Sequence, residues 1–422
     1  MPKQRLSILY AAPGHALLST SGPTRNILSL AEPLSQWADV TVAFRHLLEP
    51  VKTGAFKVMS IEAPASGSGE ALASGSGGTS GRADDVAARG LNPLSHVAYL
   101  RVLRSFAQQW AGSFDVVLEK GWRLSGCLSA AFRAHGVPGI LIENDVRHWH
   151  EPIRGVRARA KYLLHLAAQG VAGAASRRMP LIISETHELK TMLVEQRGIA
   201  EPQVAVIGLG VDHQRFCPRD QQEARRQLGI RRDACVLLYV GGLDTYHDLG
   251  PLLEAAASEV SPFEVHVVGD GVSRPRYKRL AERACVPVRF HGQQPHELVP
   301  LFIAASDLCL APYNTAAFHD QRVPFSTLKI PEYMACARPV VSVPSGHIED
   351  LIADRVSGFL VPNEASAWLA FLRELPVRSR LAEMGSEAAR AVADVSWENT
   401  AAQYLDVSQR LVEKQSARQR VR

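Results

Sequence analysis

Within the segment PFSTLKIPEYMACARPVV (324–341), two hydroxyls, a lysine and a glutamate fall inside seven residues: Ser326, Thr327, Lys329 and Glu332. A helix start offers free backbone N–H groups, and beside it hydroxyls and a mobile ammonium suit a diphosphate. Glu332 cannot hold a phosphate. It can accept hydrogen bonds from two vicinal hydroxyls, as acidic residues do with ribose in dinucleotide folds. Pro331 suits a first helical turn and Glu332 the positive end of the dipole, so the spacing predicts a helix opening at Pro331, with Ser326 and Lys329 just ahead of it. The set asks for a nucleotide carrying a diphosphate. A solvated helix start with a dipole-compatible glutamate would carry the same residues, so the surroundings have to decide.

Glycines recur where such a ligand would need close backbone approach. Gly241 and Gly242 end CVLLYVGG (235–242), Gly269 and Gly271 end EVHVVGDG (264–271), and Gly292 ends VRFHG (288–292), although none of them follows GxGxxG. In the first half, SGPTRN (21–26) opens a predicted helix, where Gly22 and Arg25 are candidates to meet the diphosphate from the other side.

The elements that must position these residues are legible as apolar runs. RLSILYAAP, a helix-period stretch from Thr24 to Trp37 and DVTVAFR form a strand–helix–strand unit, followed by strand candidates DVVLE (115–119), GILIE (139–143), LIIS (181–184) and VAVIG (204–208). A second series runs through CVLLYVGG, EVHVVGDG, VRFHG, LCLAPY (308–313), PVVSVPS (339–345) and GFLVP (358–362). Strands alternating with helices build parallel sheets covered on both faces. Two such series in 422 residues predict two Rossmann-like α/β domains facing a cleft, with ligands at the carboxyl ends of the strands. The expected domains are 1–208 and 209–394, the second carrying the diphosphate-binding set, followed by residues 395–422 with a basic tail. Residues 64–90, rich in Gly, Ser and Ala, read as a flexible insertion.

Composition narrows the function. The chain is 46% apolar and 21% charged, without a membrane-spanning apolar run, and its N-terminus reads as a first strand rather than a signal peptide, so a cytoplasmic location is expected. Its six cysteines include no CxxC pair and read as small core residues. A net charge of +5 favours anionic partners, while basic residues without aromatic interleaving speak against nucleic acid.

LKIPEYMACARPVV followed by SGHIEDLIADRVSGFLVP resembles the donor-binding region of the retaining glycosyltransferases of family 4. VIGLGVDHQRFCP (206–218) is similar to that family's interdomain segment, and VSWENTAAQYL (395–405) to its closing helix. The resemblance implies the GT-B architecture, with the last helix returning to the N-terminal domain, and transfer of a sugar from a nucleotide diphosphate to an acceptor hydroxyl with retention. It implies Glu332 on the ribose, Ser326 and Lys329 on the diphosphate and Gly22 in an N-domain glycine loop. Chemistry of this type needs no protein nucleophile, and no DxD-like pair stands at a strand end, so neither metal nor other cofactor is expected. Two departures matter. Pro324 stands where many members have a second glutamate, and VGGLDTYHDLG has Gly242 and His247 where many have Arg and Lys. Lys329, Arg322 or His247 could replace the lost cations.

On the acceptor side the resemblance points to ENDVRHWH (143–150), where Asp145 or His148 would be the catalytic or sugar-contacting group, and to His347 and Glu349 in SGHIED. IRGVRARAKYLLHL (153–166) places Arg154, Arg157, Lys161 and His165 beside an apolar stripe, either an ordinary packed helix or a peripheral contact with an anionic membrane near a lipid-linked acceptor. The departures leave open a noncatalytic sugar-nucleotide-binding protein or a GT-B nucleotide-sugar epimerase.

Overall fold

The computed structural model describes residues 5–18, 22–49, 54–62, 93–144, 155–258, 263–318 and 321–421. The chain divides into two compact units, residues 1–208 with 397–422, and residues 209–396. The predicted insertion at 64–90 lies outside the described residues.

In the first unit, seven parallel strands take the order β3-β2-β1-β4-β5-β6-β7. They are β1 (Ser7–Leu17), β2 (Asp39–Leu47), β3 (Lys57–Ser60), β4 (Val116–Lys120), β5 (Gly139–Glu143), β6 (Leu181–Ser184) and β7 (Val204–Val206). β4 and β5 are buried at every residue, as expected for central strands covered by helices on both faces. β3 was not expected: its four residues, KVMS, form an edge strand in which no side chain is fully buried, so they carry no apolar run. The predicted 24–37 helix spans Gly22–Leu34.

The chain's last helix, Trp397–Val421, also belongs to the first unit. Trp397, Ala401, Tyr404 and Ser408 recur at helical steps as its buried stripe, packed toward the Gly22–Leu34 helix, and Thr400 donates to the carbonyl of Gly208 at 3.2 Å. Val395 and Ser396 stay with the second unit, where the Val211 amide donates to the Val395 carbonyl.

The second unit repeats the pattern with six parallel strands in the order β10-β9-β8-β11-β12-β13. These are β8 (Cys235–Val240), β9 (Phe263–Val268), β10 (Val288–Gly292), β11 (Leu308–Ala311), β12 (Val340–Ser342) and β13 (Gly358–Leu360). Because every strand runs the same way, Gly241, Gly269 and Tyr313 gather at the carboxyl edge, and Asp307 and Arg338 at the opposite one. The six cysteines are free thiols, but the expectation of six core residues holds only for Cys309 and Cys336: Cys127, Cys217 and Cys235 are half-buried and Cys285 is exposed. Burial lifts the thiols of Cys127, Cys235 and Cys309 to about 12.

Candidate active site

The carboxyl edge of the second sheet is tied together around Gly241. Tyr333, on the Lys329–Ala335 helix, accepts the Val240 amide at 2.8 Å and donates to the Val240 carbonyl at 3.1 Å, which pins that helix to the end of β8. One turn earlier, Lys329 therefore reaches back over the strand end. Its Nζ lies 3.3 Å from the Tyr239 hydroxyl, 4.5 Å from the Tyr239 ring centroid and 5.8 Å from that of Tyr313. Tyr239 in turn donates to the Gly242 carbonyl at 2.6 Å, holding the turn beneath the ammonium. Gly241, at φ 147°, has to be glycine: a Cβ there would stand 2.7 Å from Lys329 Nζ. Gly269, at φ 137°, is required as well, because a Cβ would collide with the Gly241 carbonyl, and its amide donates to Gly292 at 2.7 Å. Gly242 carries no such requirement, since its φ is not positive and only Asp244 comes near.

The loop after this turn supplies a histidine. Asp244 Oδ1 accepts the His247 Nδ1–H at 2.9 Å together with the amides of Tyr246 and His247, which fixes the imidazole beside Tyr239 and Tyr313. Burial lowers the His247 pKa and the charge of Lys329 lowers it further, with Asp244 opposing both. Burial raises the Asp244 carboxyl, but the bonds from His247 outweigh it and leave the group below its ordinary value. Lys329 is pushed down to about 7, chiefly by burial and against the pull of Asp244 and Glu332. An ammonium enclosed by aromatic rings in this way gains much from an incoming dianion.

The predicted residues separate into those the fold assembles and those it does not. Lys329 is the first helical residue rather than a residue ahead of the helix, because the helix begins two positions before Pro331. Glu332 lies in the same first turn, half-buried, and its charge reaches Lys329. Thr327 is buried and its hydroxyl accepts from Tyr313 at 2.6 Å, so it supports the tyrosine. Ser326 is half-buried without a hydrogen bond among the described residues. Of the three cations named as replacements, Lys329 and His247 share the site. Arg322 stands exposed, with no ion pair among the described residues. Gly22 and Arg25 open the Gly22–Leu34 helix of the first unit. His347 begins the short His347–Leu351 helix, buried, with neither ring nitrogen bonded, and burial pushes it down to about 4; Glu349 is exposed.

Asp145, His148 and His150 lie outside the described residues. What the first unit shows at its own carboxyl edge is a buried ion pair, Lys120 with Glu185 at 2.8 Å, and Glu143 at the end of β5. Among the described residues no group of three or more His, Cys, Asp or Glu could hold a metal ion. Tyr239, Tyr313, Tyr333 and Asp244 were not foreseen. The available signal was a tyrosine at or just beyond the end of two apolar strands, and an Asp–His pair three residues apart in the loop that follows the first of them.

Residues 234–375 match the family model for glycosyl transferases group 1, so the match falls on the unit that carries this site. The D-inositol 3-phosphate glycosyltransferase of Geodermatophilus obscurus is 30% identical over 315 residues, spanning 71% of this chain and 67% of the relative. One from Catenulispora acidiphila is 31% identical over 332 residues, 74% of each. Among solved structures, sucrose-phosphate synthase from Thermosynechococcus elongatus superposes with a TM-score of 0.71 at 16% identity, covering 97% of this chain and all of that one. Anabaena HepE in complex with UDP-glucose gives 0.68 at 17%, covering 96% and 99%. At such identity these structures show the GT-B fold alone. The sequence relatives carry the assignment further: the chain belongs to the group 1 glycosyltransferases, family 4, and is a glycosyltransferase.

Proposed function

We propose that the second unit binds a nucleotide-diphosphate sugar, with Lys329 and His247 facing the diphosphate and Glu332 accepting the ribose hydroxyls, for transfer to an acceptor hydroxyl with retention. The observation that carries this is the enclosure of Lys329 over the Gly241 turn by Tyr239 and Tyr313. As the bond to the sugar breaks, negative charge builds on the leaving diphosphate, and a preorganised ammonium stabilises it there. Because the cation is supplied by the chain itself, transfer is expected to proceed in the presence of EDTA. The solved HepE structure holds UDP-glucose, which makes UDP-sugars the first donors to try.

A panel of UDP, GDP, ADP and TDP sugars in a thermal-shift assay identifies the donor, since ligand at about 100 times its dissociation constant stabilises by about 2.7 kcal/mol. Glu332→Ala should then raise the donor dissociation constant by about tenfold in a protein that remains folded. An unchanged constant would remove Glu332 from the ribose. Donor turnover with no transferred sugar, or binding with no turnover, would replace the transferase mechanism by an epimerase or a binding protein.

The acceptor is proposed to be a sugar or a lipid-linked glycan, used in glycan, polysaccharide or glycolipid assembly at an anionic membrane face. No described helix is long and apolar enough to cross a membrane. Support for a peripheral contact comes from the Gly155–Ser176 helix, where Val156 is 84% and Leu163 65% exposed, with Leu164 and Val171 also outward. At helical spacing these four form one apolar stripe, adjoining the positions of Arg157 and Lys161.

A further inference from the structure

The amino edge of the second sheet, away from Gly241, holds a cavity of about 470 Å³. It lies where β11 and β12 begin, and Arg219, Arg338, Arg378, Asp307 and Ser379 are among its lining residues. Its carboxylates are already committed. Asp307 takes Arg225 at 2.6 Å and the Val236 amide on one oxygen, and Arg378 at 2.9 Å and Gln221 on the other. Asp220 caps the Gln221–Leu228 helix through the Glu223 amide.

Two of the guanidiniums have no carboxylate. Arg338 donates only to the carbonyls of Ala304 and Ala337, and its Nε is buried without a partner. Arg219 donates only to the Arg215 carbonyl, and neither forms an ion pair among the described residues. The Arg378–Ala391 helix, whose first turn lines the same cavity, opens on Val377, which has no oxygen to cap it. Arg338 and Arg219 thus bring positive charge to the cavity lining with no carboxylate bonded to either, which suits an anion. The volume is that of a small-molecule pocket and exceeds the needs of a phosphate alone.

We propose that this cavity binds a small phosphate-bearing metabolite, its phosphate held by Arg338, Arg219 and the uncapped turn at Arg378 and Ser379. It is a second anion site, separate from the donor site by the length of the strands and independent of the donor assignment. The test is calorimetric titration of the full chain with inorganic phosphate, glucose 6-phosphate and glucose in a phosphate-free buffer. Phosphate and glucose 6-phosphate should bind and glucose should not; tighter binding of the ester would show that the organic part is also held. Arg338→Gln and Arg219→Gln should each weaken by about tenfold the phosphate binding that persists in Lys329→Ala, where the donor site is impaired. If Arg338→Gln does not fold, Arg219→Gln, altered at an exposed side chain, decides. No phosphate binding in the wild-type chain, or binding abolished by Lys329→Ala and untouched by both arginine variants, would overturn the proposal.

Discussion

Lys329 carries most of the chemistry assigned to a single residue here. An ammonium that meets full negative charge only as the leaving group departs contributes more to the transition state than to the ground state. Lys329→Ala is therefore expected to lower kcat by about 10²-fold, with a smaller change in KM, and steady-state kinetics separate the two. A change confined to KM would leave Lys329 as a binding group only. Its pKa gives a second expectation. Burial holds the free lysine near 7, so above that pH it is largely neutral, and a diphosphate must bring a proton with it. Donor affinity should fall as pH rises through 7 and beyond, with proton uptake on binding at pH 8 measurable in buffers of different ionisation enthalpy, while protonation of His247, lowered by burial, should add affinity on the acid side. Lys329 and His247, named as replacements for the cations missing from the family pattern, are groups the sequence shows but does not bring together. His247 reaches the site through Asp244, and Lys329 through Tyr333. Both links span a fold contact or a loop turn that residue spacing alone does not encode.

At the scale of elements, apolar runs were reliable guides wherever a strand is covered on both faces. GILIE and LIIS were placed to the residue, and so was the edge strand VRFHG, because its Val288 and Phe290 pack against the core from one side. KVMS was not, because an edge strand needs no apolar run. The Lys329 helix shows a different limit. Proline is tolerated anywhere in a first turn, where backbone N–H groups lack partners in any case, so Pro331 narrows the helix start to a turn and the Tyr333–Val240 clamp selects the residue. Gly155–Ser176 was legible as a basic amphipathic helix, but sequence could not say whether its apolar stripe is covered; Val156 and Leu163 are open to solvent. Arg154 and the side chains of Arg157 and Lys161 lie outside the described residues. The protein should sediment with anionic vesicles at low salt and be released by high salt, or by changing these three residues to glutamine. Equal recovery in the supernatant with neutral and anionic vesicles would favour an acceptor free in solution.

The molecule as a whole is two covalently interleaved units, since the first is built from both ends of the chain. Removing residues 397–422 would take away the buried stripe of Trp397, Ala401 and Tyr404 and uncover the part of the Gly22–Leu34 helix that packs against it. The first unit should then lose its cooperative thermal transition while donor-dependent stabilisation of residues 209–396 persists, which calorimetry with and without nucleotide sugar can resolve. Loss of both together would make the units one cooperative block. The same interleaving sets an order of events during synthesis. At roughly 5–20 residues per second, the ribosome needs about ten seconds or more to pass from Gly208 to Trp397. For that time the nascent first unit waits with an uncovered apolar face while the second unit completes itself, so the half made first is finished last, and its exposed helix is the surface a chaperone would meet.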